Sequence, residues 1–324
     1  VVLNPTAGNH HQQIMGALDR LSAGGSTNGG QGIELAYKLA QQSFVRGGIN
    51  RVILATDGDF NVGTTSRNSL ERLIEQKRSG GVFLSVLGFG TGNLKDSQME
   101  MLADKGNGNY AYIDSTREAH KVLVDELGST LVTIAKDVKI QVEFNPSMVQ
   151  SYRLIGYENR ALADRDFNDD RKDAGEIGAG HTVTALYEVV PRGAGGSGVD
   201  PLRYQQEGDH TLTTAANSGE LMHLKLRYKQ PTGSKSTLIT YPIVESDKTL
   251  AQSSQNFRFS AAVAGFGMLL RNSEHAGETS FHKLHGLAQS ALGRDTKGYR
   301  REFLNLVKKA GHLRGERPSV AIAR

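Results

Sequence analysis

The chain has 324 residues, which corresponds to about two domains and is long enough to bury a hydrophobic core. Hydrophobic residues make up 38% and charged residues 22%, a balance that excludes a largely disordered chain. The 38 Lys and Arg residues exceed the 34 Asp and Glu residues by a formal charge of +4. Because this excess is small and spread along the chain, the sequence predicts no nucleic-acid partner.

The chain contains no cysteine, which excludes disulfides, cysteine-ligated zinc and cysteine nucleophiles within it. Its longest apolar candidate, residues 261–270, is shorter than the roughly 18 residues of a membrane span, so no transmembrane segment is predicted. The sequence starts without methionine, and residues 1–3 have the pattern of a strand. We therefore expect a fragment of a protein that begins upstream.

The first 135 residues alternate between helical and strand patterns. Apolar residues at helical spacing predict helices at residues 10–21, 29–44, 69–78, 96–105 and 116–134. Short apolar runs between them predict buried parallel strands at residues 51–56, 82–87 and 110–113. This order predicts an α/β domain with an open, doubly wound parallel sheet and helices on both faces.

The pattern changes near residue 136. Residues 138–144 alternate strictly and place Val138, Ile140, Val142 and Phe144 on one face. Further antiparallel strands are predicted at residues 182–190, 221–228 and 237–242, and helices at residues 257–270, 280–292 and 297–313. The predicted organisation is an α/β domain at 1–135, an antiparallel β-sandwich-like region at 136–250 and a helical region at 251–324.

Two polar segments are predicted to meet at one edge of the parallel sheet. Ser26 and Thr27 lie in a glycine-rich turn before a helix, and Asp57 and Asp59 follow the strand at residues 51–56. Ligands of α/β sheets bind outside the carboxyl ends of the strands. Hydroxyl and carboxylate oxygens there suit a hard cation such as Mg²⁺. The alternative is local, with a helix N-cap at Ser26 or Thr27 and a turn at Asp57.

The segments GGSTNGGQGIELAY, RVILATDGDFNVG and GVFLSVLGFGTGNLKDSQMEMLADKGNGNYAYID together resemble a von Willebrand factor type A domain. The later segments DAGEIGAGHTVTALYEVVP, LRYKQP and FRFSAAVAGFGMLLR are similar to the C-terminal region that bacterial proteins of the YfbK type join to such a domain. The resemblance covers nearly the whole chain. It implies the Rossmann-like, doubly wound sheet that the periodicity also predicts.

The resemblance implies a metal-ion-dependent adhesion site. In the family, this site uses a DxSxS motif on the first strand, a threonine from a loop and an aspartate after a later strand. Thr27 matches the threonine and Asp57 the aspartate, while Ser26 and Asp59 are candidates to orient the metal ligands. DxSxS has no match in this chain, so we expect an incomplete site here and an exposed flank of the strand at residues 51–56.

The activity implied by the resemblance is binding without catalysis. Mg²⁺, Mn²⁺ or Ca²⁺ would keep one coordination position open, and an Asp or Glu carboxylate of a protein partner would fill it. The family context implies a cell-envelope or periplasmic location, with lipid anchoring through a preceding segment. One alternative is a metal-independent scaffold of the cell envelope. Another is a nucleotide-dependent enzyme that uses residues 88–92 (GFGTG), although their spacing departs from G-x-G-x-x-G.

Three other segments carry weaker signals. Residues 164–170 (DRDFNDD) resemble the start of a calcium-binding EF-hand loop, but Asp169 stands where that loop needs glycine. They therefore predict a solvated acidic loop. His282 and His285 lie one helical turn apart without the carboxylate of a HExxH zinc site, and predict no metal site. The basic residues of segment 297–317 predict a solvated helix face.

Overall fold

The computed structural model describes residues 1–22, 24, 28–58, 67–92, 94–157, 161–172, 174–194 and 212–316. Ser26, Thr27 and Asp59 lie outside this described part of the chain. The chain forms two compact units, one from residues 1–141, 163–182 and 225–239, and one from residues 142–162, 183–224 and 240–324. The division at residues 135 and 250 stays a prediction.

Helices and strands alternate early in the chain, and strands cluster in its middle. The α-helices are α1 (His11–Leu18), α2 (Gly29–Gln42), α3 (Arg67–Arg78), α4 (Asp96–Lys105), α5 (Thr116–His120), α6 (Leu127–Leu131), α7 (Gln255–Leu270), α8 (Phe281–Ser290) and α9 (Tyr299–Leu313). The strands are β1 (Arg51–Thr56), β2 (Phe83–Gly88), β3 (Tyr110–Tyr112), β4 (Thr133–Phe144), β5 (Val149–Ile155), β6 (Gly175–Gly178), β7 (Leu186–Pro191), β8 (Glu220–Lys229) and β9 (Ser236–Val244). A π-helical turn spans Lys121–Asp125, and 3-10 helices span Asp164–Asp166, Thr214–Asn217, Leu250–Gln252 and Glu274–Ala276.

The first unit contains a parallel sheet in the order β1-β2-β3. Strand β1 pairs with β2 from Arg51 opposite Phe83 to Thr56 opposite Gly88, and β2 continues the parallel pairing with β3. Helix α3 connects β1 to β2 and α4 connects β2 to β3, as parallel neighbours require a crossover. The predicted α/β fold with an open parallel sheet is confirmed.

Helices α2, α3 and α4 pack their apolar faces on this sheet. The buried core they form consists of Ile33, Tyr37, Val52, Leu70, Ile74, Val82, Leu84, Val86, Met99, Met101, Leu102 and Ala103. Strand β2 is buried along nearly its whole length. Strand β1 lies at one edge of the described sheet, and Ile53 is 45% exposed. The exposed flank expected for this strand is therefore present, whereas its prediction as a fully buried strand is wrong.

Two predicted strands differ from the structure. Residues 1–3 form no strand, and Val1 and Val2 are exposed. No described strand pairs with them, and a short apolar run becomes a strand only with a hydrogen-bonded partner. The strand predicted at 182–190 begins only at Leu186, opposite Ile155. Since β5 ends at Ile155, it offers no strand partner to residues 182–185.

The long helix predicted at residues 116–134 is also wrong. The segment divides into α5, the π-helical turn and α6, and strand β4 begins at Thr133. Gly128 and the β-branched residues at 132–134 lower the helix propensity of the second half. Apolar spacing alone therefore overestimated the length of this helix.

The antiparallel sheet of the structure has the order β6-β4-β8-β9. Residues 133–141, 175–178, 225–229 and 236–239 of these strands belong to the first unit. In β4 the predicted alternation is wrong, because Lys139 is 3% exposed and Ile140 is 44% exposed. Asp137 has a φ of 50°, and the register of β4 against β6 shifts between Ala135 and Val138. Such a bulge changes which face the following side chains occupy.

Two buried lysines hold the acidic loop at residues 164–172. The Lys139 Nζ donates to the carbonyl oxygens of Asp166 at 3.1 Å and Asp169 at 2.5 Å. The Lys229 Nζ, also buried, donates to the carbonyl oxygen of Asp170 at 2.5 Å. The backbone of this loop is thus bound by ammonium groups of two strands, while the Arg171 side chain pairs with the Asp169 carboxylate at 3.0 Å.

The second unit combines an antiparallel β5-β7 pair with helices α7, α8 and α9. Phe144, at the end of β4, packs on the rings of Tyr152 and Tyr187, with centroids 4.3 and 5.4 Å away. Among the helices, Gly265 of α7 permits close contact with α8, because a Cβ there would lie 2.6 Å from the Cδ2 of Leu284. The three predicted C-terminal helices are confirmed.

A first prediction concerns the buried lysine of β4. We expect Lys139→Met to lower the free energy of unfolding by about 1–3 kcal/mol, because two part-buried carbonyl groups lose their donor. The matched change Ile140→Thr, on the exposed face, should alter it by less than about 0.5 kcal/mol. Urea denaturation of both variants measures the difference. A larger loss of unfolding free energy in Ile140→Thr than in Lys139→Met would show that Ile140 is buried and Lys139 exposed, and would contradict the burial in the structure.

A second prediction concerns the core beneath β2. Leu84 is fully buried and Leu35 is 42% exposed. Leu84→Ala should lower the free energy of unfolding by about 2–5 kcal/mol through lost burial and a residual cavity. Leu35→Ala should cost less than about 1 kcal/mol. Equal denaturation midpoints for the two variants would show that α2, α4 and the sheet do not share the described core.

Candidate functional site

Asp57 lies directly after β1, at the carboxyl edge of the parallel sheet. The residue is half-buried, and its carbonyl oxygen accepts the Lys95 N–H at 3.1 Å. The Phe89 N–H donates to the Thr56 carbonyl oxygen at 2.9 Å. These bonds join the chain after β1 to the chain after β2, so the backbone that carries Asp57 is fixed from both sides.

The turn at residue 58 depends on glycine. Gly58 has a φ of 81°, a conformation that other residues rarely adopt. Its N–H donates to the Thr56 Oγ1 at 3.0 Å, and a Cβ there would lie 2.8 Å from the Cβ of Lys95. The sharp turn therefore keeps the Asp57 backbone close against the start of α4.

Two tyrosines of β3 bond to the chain that follows β2, one to the loop at residues 88–92 and one to the start of α4. The Tyr112 hydroxyl donates to the Gly90 carbonyl oxygen at 2.9 Å, and the Tyr110 hydroxyl donates to the Asp96 Oδ1 at 2.6 Å. Burial, together with the Asp96 carboxylate, raises the pKa of Tyr110, so its hydroxyl remains a donor at neutral pH. A Cβ at Gly90 would lie 3.7 Å from that of Asp57, which places this loop beside Asp57.

This arrangement is unfavourable for a nucleotide phosphate. A phosphate loop uses the positive N-terminal end of the following helix. Helix α4 begins with Asp96, whose carboxylate accepts the Tyr110 hydroxyl. The negative charge at this position opposes a second anion, so the geometry gives no support to the nucleotide-dependent enzyme considered from the GFGTG segment.

The described residues do not by themselves fit a metal ion. Of the four predicted site residues, Asp57 is described, whereas Ser26, Thr27 and Asp59 are not. Within the described ranges, no three His, Cys, Asp or Glu side chains lie together so that they could hold a metal. Mg²⁺ requires a near-octahedral set of oxygen ligands. The metal-binding roles of Thr27 and Asp57 stay predictions.

The opposite end of the sheet contains buried polar groups that sequence patterns did not reveal. The Arg51 guanidinium donates to the Ser85 Oγ at 2.6 Å and to the Thr133 Oγ1 at 3.0 Å. Burial lowers the pKa of Arg51, while the Glu176 carboxylate opposes this effect. The Tyr37 hydroxyl is buried and has no hydrogen-bond partner within the described part of the chain. The one signal of this polar cluster in the sequence was Arg51, a charged residue at the first position of an otherwise apolar strand.

The fold and the family comparisons together define the class of protein. Residues 1–126 match the model of the von Willebrand factor type A domain. The parallel sheet with its flanking helices therefore belongs to a von Willebrand factor A domain, a class of domain that generally mediates protein interactions. Residues 129–313 match the model described as "Uncharacterized protein YfbK, C-terminal". The chain thus belongs to the YfbK family, and the resemblance found in its motifs is confirmed.

Two similar proteins give the extent of this relationship. "Uncharacterized protein YfbK" of Escherichia coli (strain K12) is 46% identical over 310 residues, which cover 96% of this chain and 53% of the relative. The chain therefore spans about half the length of this curated relative. The structure "von Willebrand factor type A from Catenulispora acidiphila" is 16% identical, with a TM-score of 0.37, covering 91% of this chain and 67% of that chain.

Among the described residues, none of the helices combines the length and the apolar character needed to span a membrane. Helix α7, the most apolar of the C-terminal helices, has 16 residues.

Proposed function

We propose that this chain is a non-enzymatic protein-binding module whose partner docks at the carboxyl edge of the parallel sheet, around Asp57. The observation that carries the proposal is the fixed backbone of this residue. The Lys95 N–H, the Gly58 turn and the chain after β2 all constrain it. A binding residue whose conformation is fixed beforehand loses less entropy when a partner binds.

Aromatic side chains beside Asp57 support the same surface. Phe89 is 39% exposed and Tyr112 is 36% exposed, and both belong to segments held near Asp57. Aromatic residues next to a fixed polar group are typical of the positions that contribute most to protein–protein affinity. The Tyr112 hydroxyl bond to Gly90 keeps this ring in place.

A more specific version of the proposal adds a metal ion that bridges this chain and its partner. Thr27 and Asp57 would supply oxygen ligands to Mg²⁺, Mn²⁺ or Ca²⁺, and Ser26 and Asp59 would orient them. The ion would supply a positive centre that an Asp or Glu carboxylate of the partner can bind. We place the protein in the cell envelope or periplasm, anchored through lipid, as part of the same proposal.

A second candidate is a metal-independent scaffold with the same docking surface. It is favoured by the exposed rings of Phe89 and Tyr112, which need no metal ion to contact a partner. In this case Phe89 and Tyr112 provide the contact area, and the Asp57 carboxylate binds a cationic or hydrogen-bond donor group of the partner. The two candidates share a surface and differ in their response to chelation.

A third prediction tests the surface directly. Proteins captured by the wild-type chain from envelope extracts are quantified against those captured by Asp57→Ala and Phe89→Ala. A partner of this edge should bind about tenfold more weakly to both variants, since each removes a central contact. Asp19→Ala, which removes an exposed carboxylate at the end of α1, is the matched control and should keep full binding.

The same capture with Mg²⁺ or with EDTA distinguishes the two candidates. Chelation that lowers wild-type binding as strongly as Asp57→Ala does supports the metal-bridged form. Binding that resists EDTA but is lost in Asp57→Ala supports the metal-independent scaffold. Undiminished capture of every partner by both edge variants would contradict a docking site around Asp57.

A further inference from the structure

A cleft of about 440 Å³ opens in the first unit, near the amino end of β2. It lies at the strand end opposite to Asp57, because β1 and β2 are parallel. Helix α3, the turn after α4, strands β2, β4 and β8, and the acidic loop all contribute to its walls. The residues that carry the argument are Arg78, Phe83, Asn107, Lys136, Asp137 and Lys229.

Positive charge exceeds negative charge along this cleft. Its lining includes the cationic side chains of Arg78, Lys136, Arg171 and Lys229, against the carboxylates of Asp137 and Asp170. The Arg171 guanidinium is paired with the Asp169 carboxylate at 3.0 Å, so the positive excess comes from the other three cations. A concave surface with an excess of one charge concentrates ions of the opposite sign. The cleft therefore attracts anions, although the chain as a whole has only a small net charge.

The two carboxylates are already engaged by protein groups. The Asp137 Oδ2 accepts the Lys229 Nζ at 2.6 Å, and its Oδ1 accepts the Ala174 N–H at 3.3 Å. The Asp170 Oδ2 accepts the Ser236 N–H at 3.3 Å, and hydrogen bonding from the side chain and then the backbone of Ser236 lowers the pKa of Asp170. The Lys229–Asp137 and Arg171–Asp169 pairs cancel in charge, so Arg78 and Lys136 against Asp170 leave a small positive excess in the cleft.

Lys136 and Lys229 retain N–H donors for a ligand. Lys136 makes no hydrogen bond or ion pair with any described residue. The Lys229 ammonium, 7% exposed, uses two of its three N–H donors on Asp137 and on the Asp170 carbonyl oxygen. The Arg78 Nη1 donates to the Asn107 Oδ1 at 2.9 Å, which orients the guanidinium. A buried ammonium with a remaining donor is costly unless another acceptor reaches it.

We propose that this cleft binds a small phosphorylated molecule, with the phosphate between Arg78, Lys136 and Lys229. These cations come from α3, β4 and β8, and a tetrahedral phosphate can accept donors from several directions at once. The volume of about 440 Å³ lies within the range of small-molecule pockets and exceeds the needs of a phosphate alone. The Phe83 ring, also in the wall, would contact the organic part of the ligand.

The fourth prediction uses phenyl phosphate and inorganic phosphate as probes, titrated by calorimetry at constant ionic strength. Wild-type protein should bind phenyl phosphate saturably and more tightly than inorganic phosphate, because the phenyl group contacts Phe83. Lys136→Met keeps the apolar stem but removes the charge, and should weaken binding about tenfold. Lys136→Arg should restore it. Lys38→Met, at an exposed lysine of α2 outside the cleft, is the matched control and should bind like wild type.

A second experiment measures binding of the protein to vesicles that contain phosphatidic acid, since this lipid headgroup carries the same phosphate group. Binding of phenyl phosphate in solution with no cleft-dependent vesicle binding supports a soluble phosphate ester. Vesicle binding without phenyl phosphate binding would overturn the proposal. So would equal affinity of wild type and Lys136→Met, or no saturation up to about 10 mM probe. If Lys136→Met unfolds, Arg78→Gln removes a second cation and is expected to give the same loss of binding.

Discussion

The parallel pairing of β1 with β2 fixes the position of both functional regions. Because the two strands run in one direction, their carboxyl ends bring Asp57 beside the loop at residues 88–92. Their amino ends place Arg51 and Phe83 at the opposite edge, where the cationic cleft opens. This register brings the glycine turn at residue 58 and the tyrosines of β3 to the same edge of the sheet, where they fix the backbone near Asp57.

Buried positive charge is the second constraint on the first unit. Lys139 and Lys229 lose most of their contact with water, so each ammonium must be compensated by protein acceptors. Carbonyl oxygens of the acidic loop and the Asp137 carboxylate supply them. The loop is thereby attached to β4 and β8, and its backbone forms one wall of the cleft. The hydrogen bonds that compensate the two buried ammonium groups therefore also position the loop that lines the cleft.

The two edges suggest different kinds of recognition in one interaction module. The carboxyl edge offers a fixed aspartate with the exposed aromatic rings of Phe89 and Tyr112, which suits a protein partner. The cleft offers cations converging from separate elements, which suits a small anion. Its walls include residues from both segments that the family models match. A ligand held there would therefore contact the von Willebrand factor A segment and the YfbK C-terminal segment together.

The sequence by itself determined the family, the α/β class and the place of Asp57 after a strand, because local periodicity and contiguous motifs encode these features. It also gave the C-terminal helices with nearly correct bounds. Only the tertiary structure decided that Lys139 is buried and Ile140 exposed, since a bulge at Asp137 moves the following side chains relative to the face their alternation predicts. The cleft likewise depends on residues as distant in sequence as Arg78 and Lys229, which line one cavity only in the folded chain.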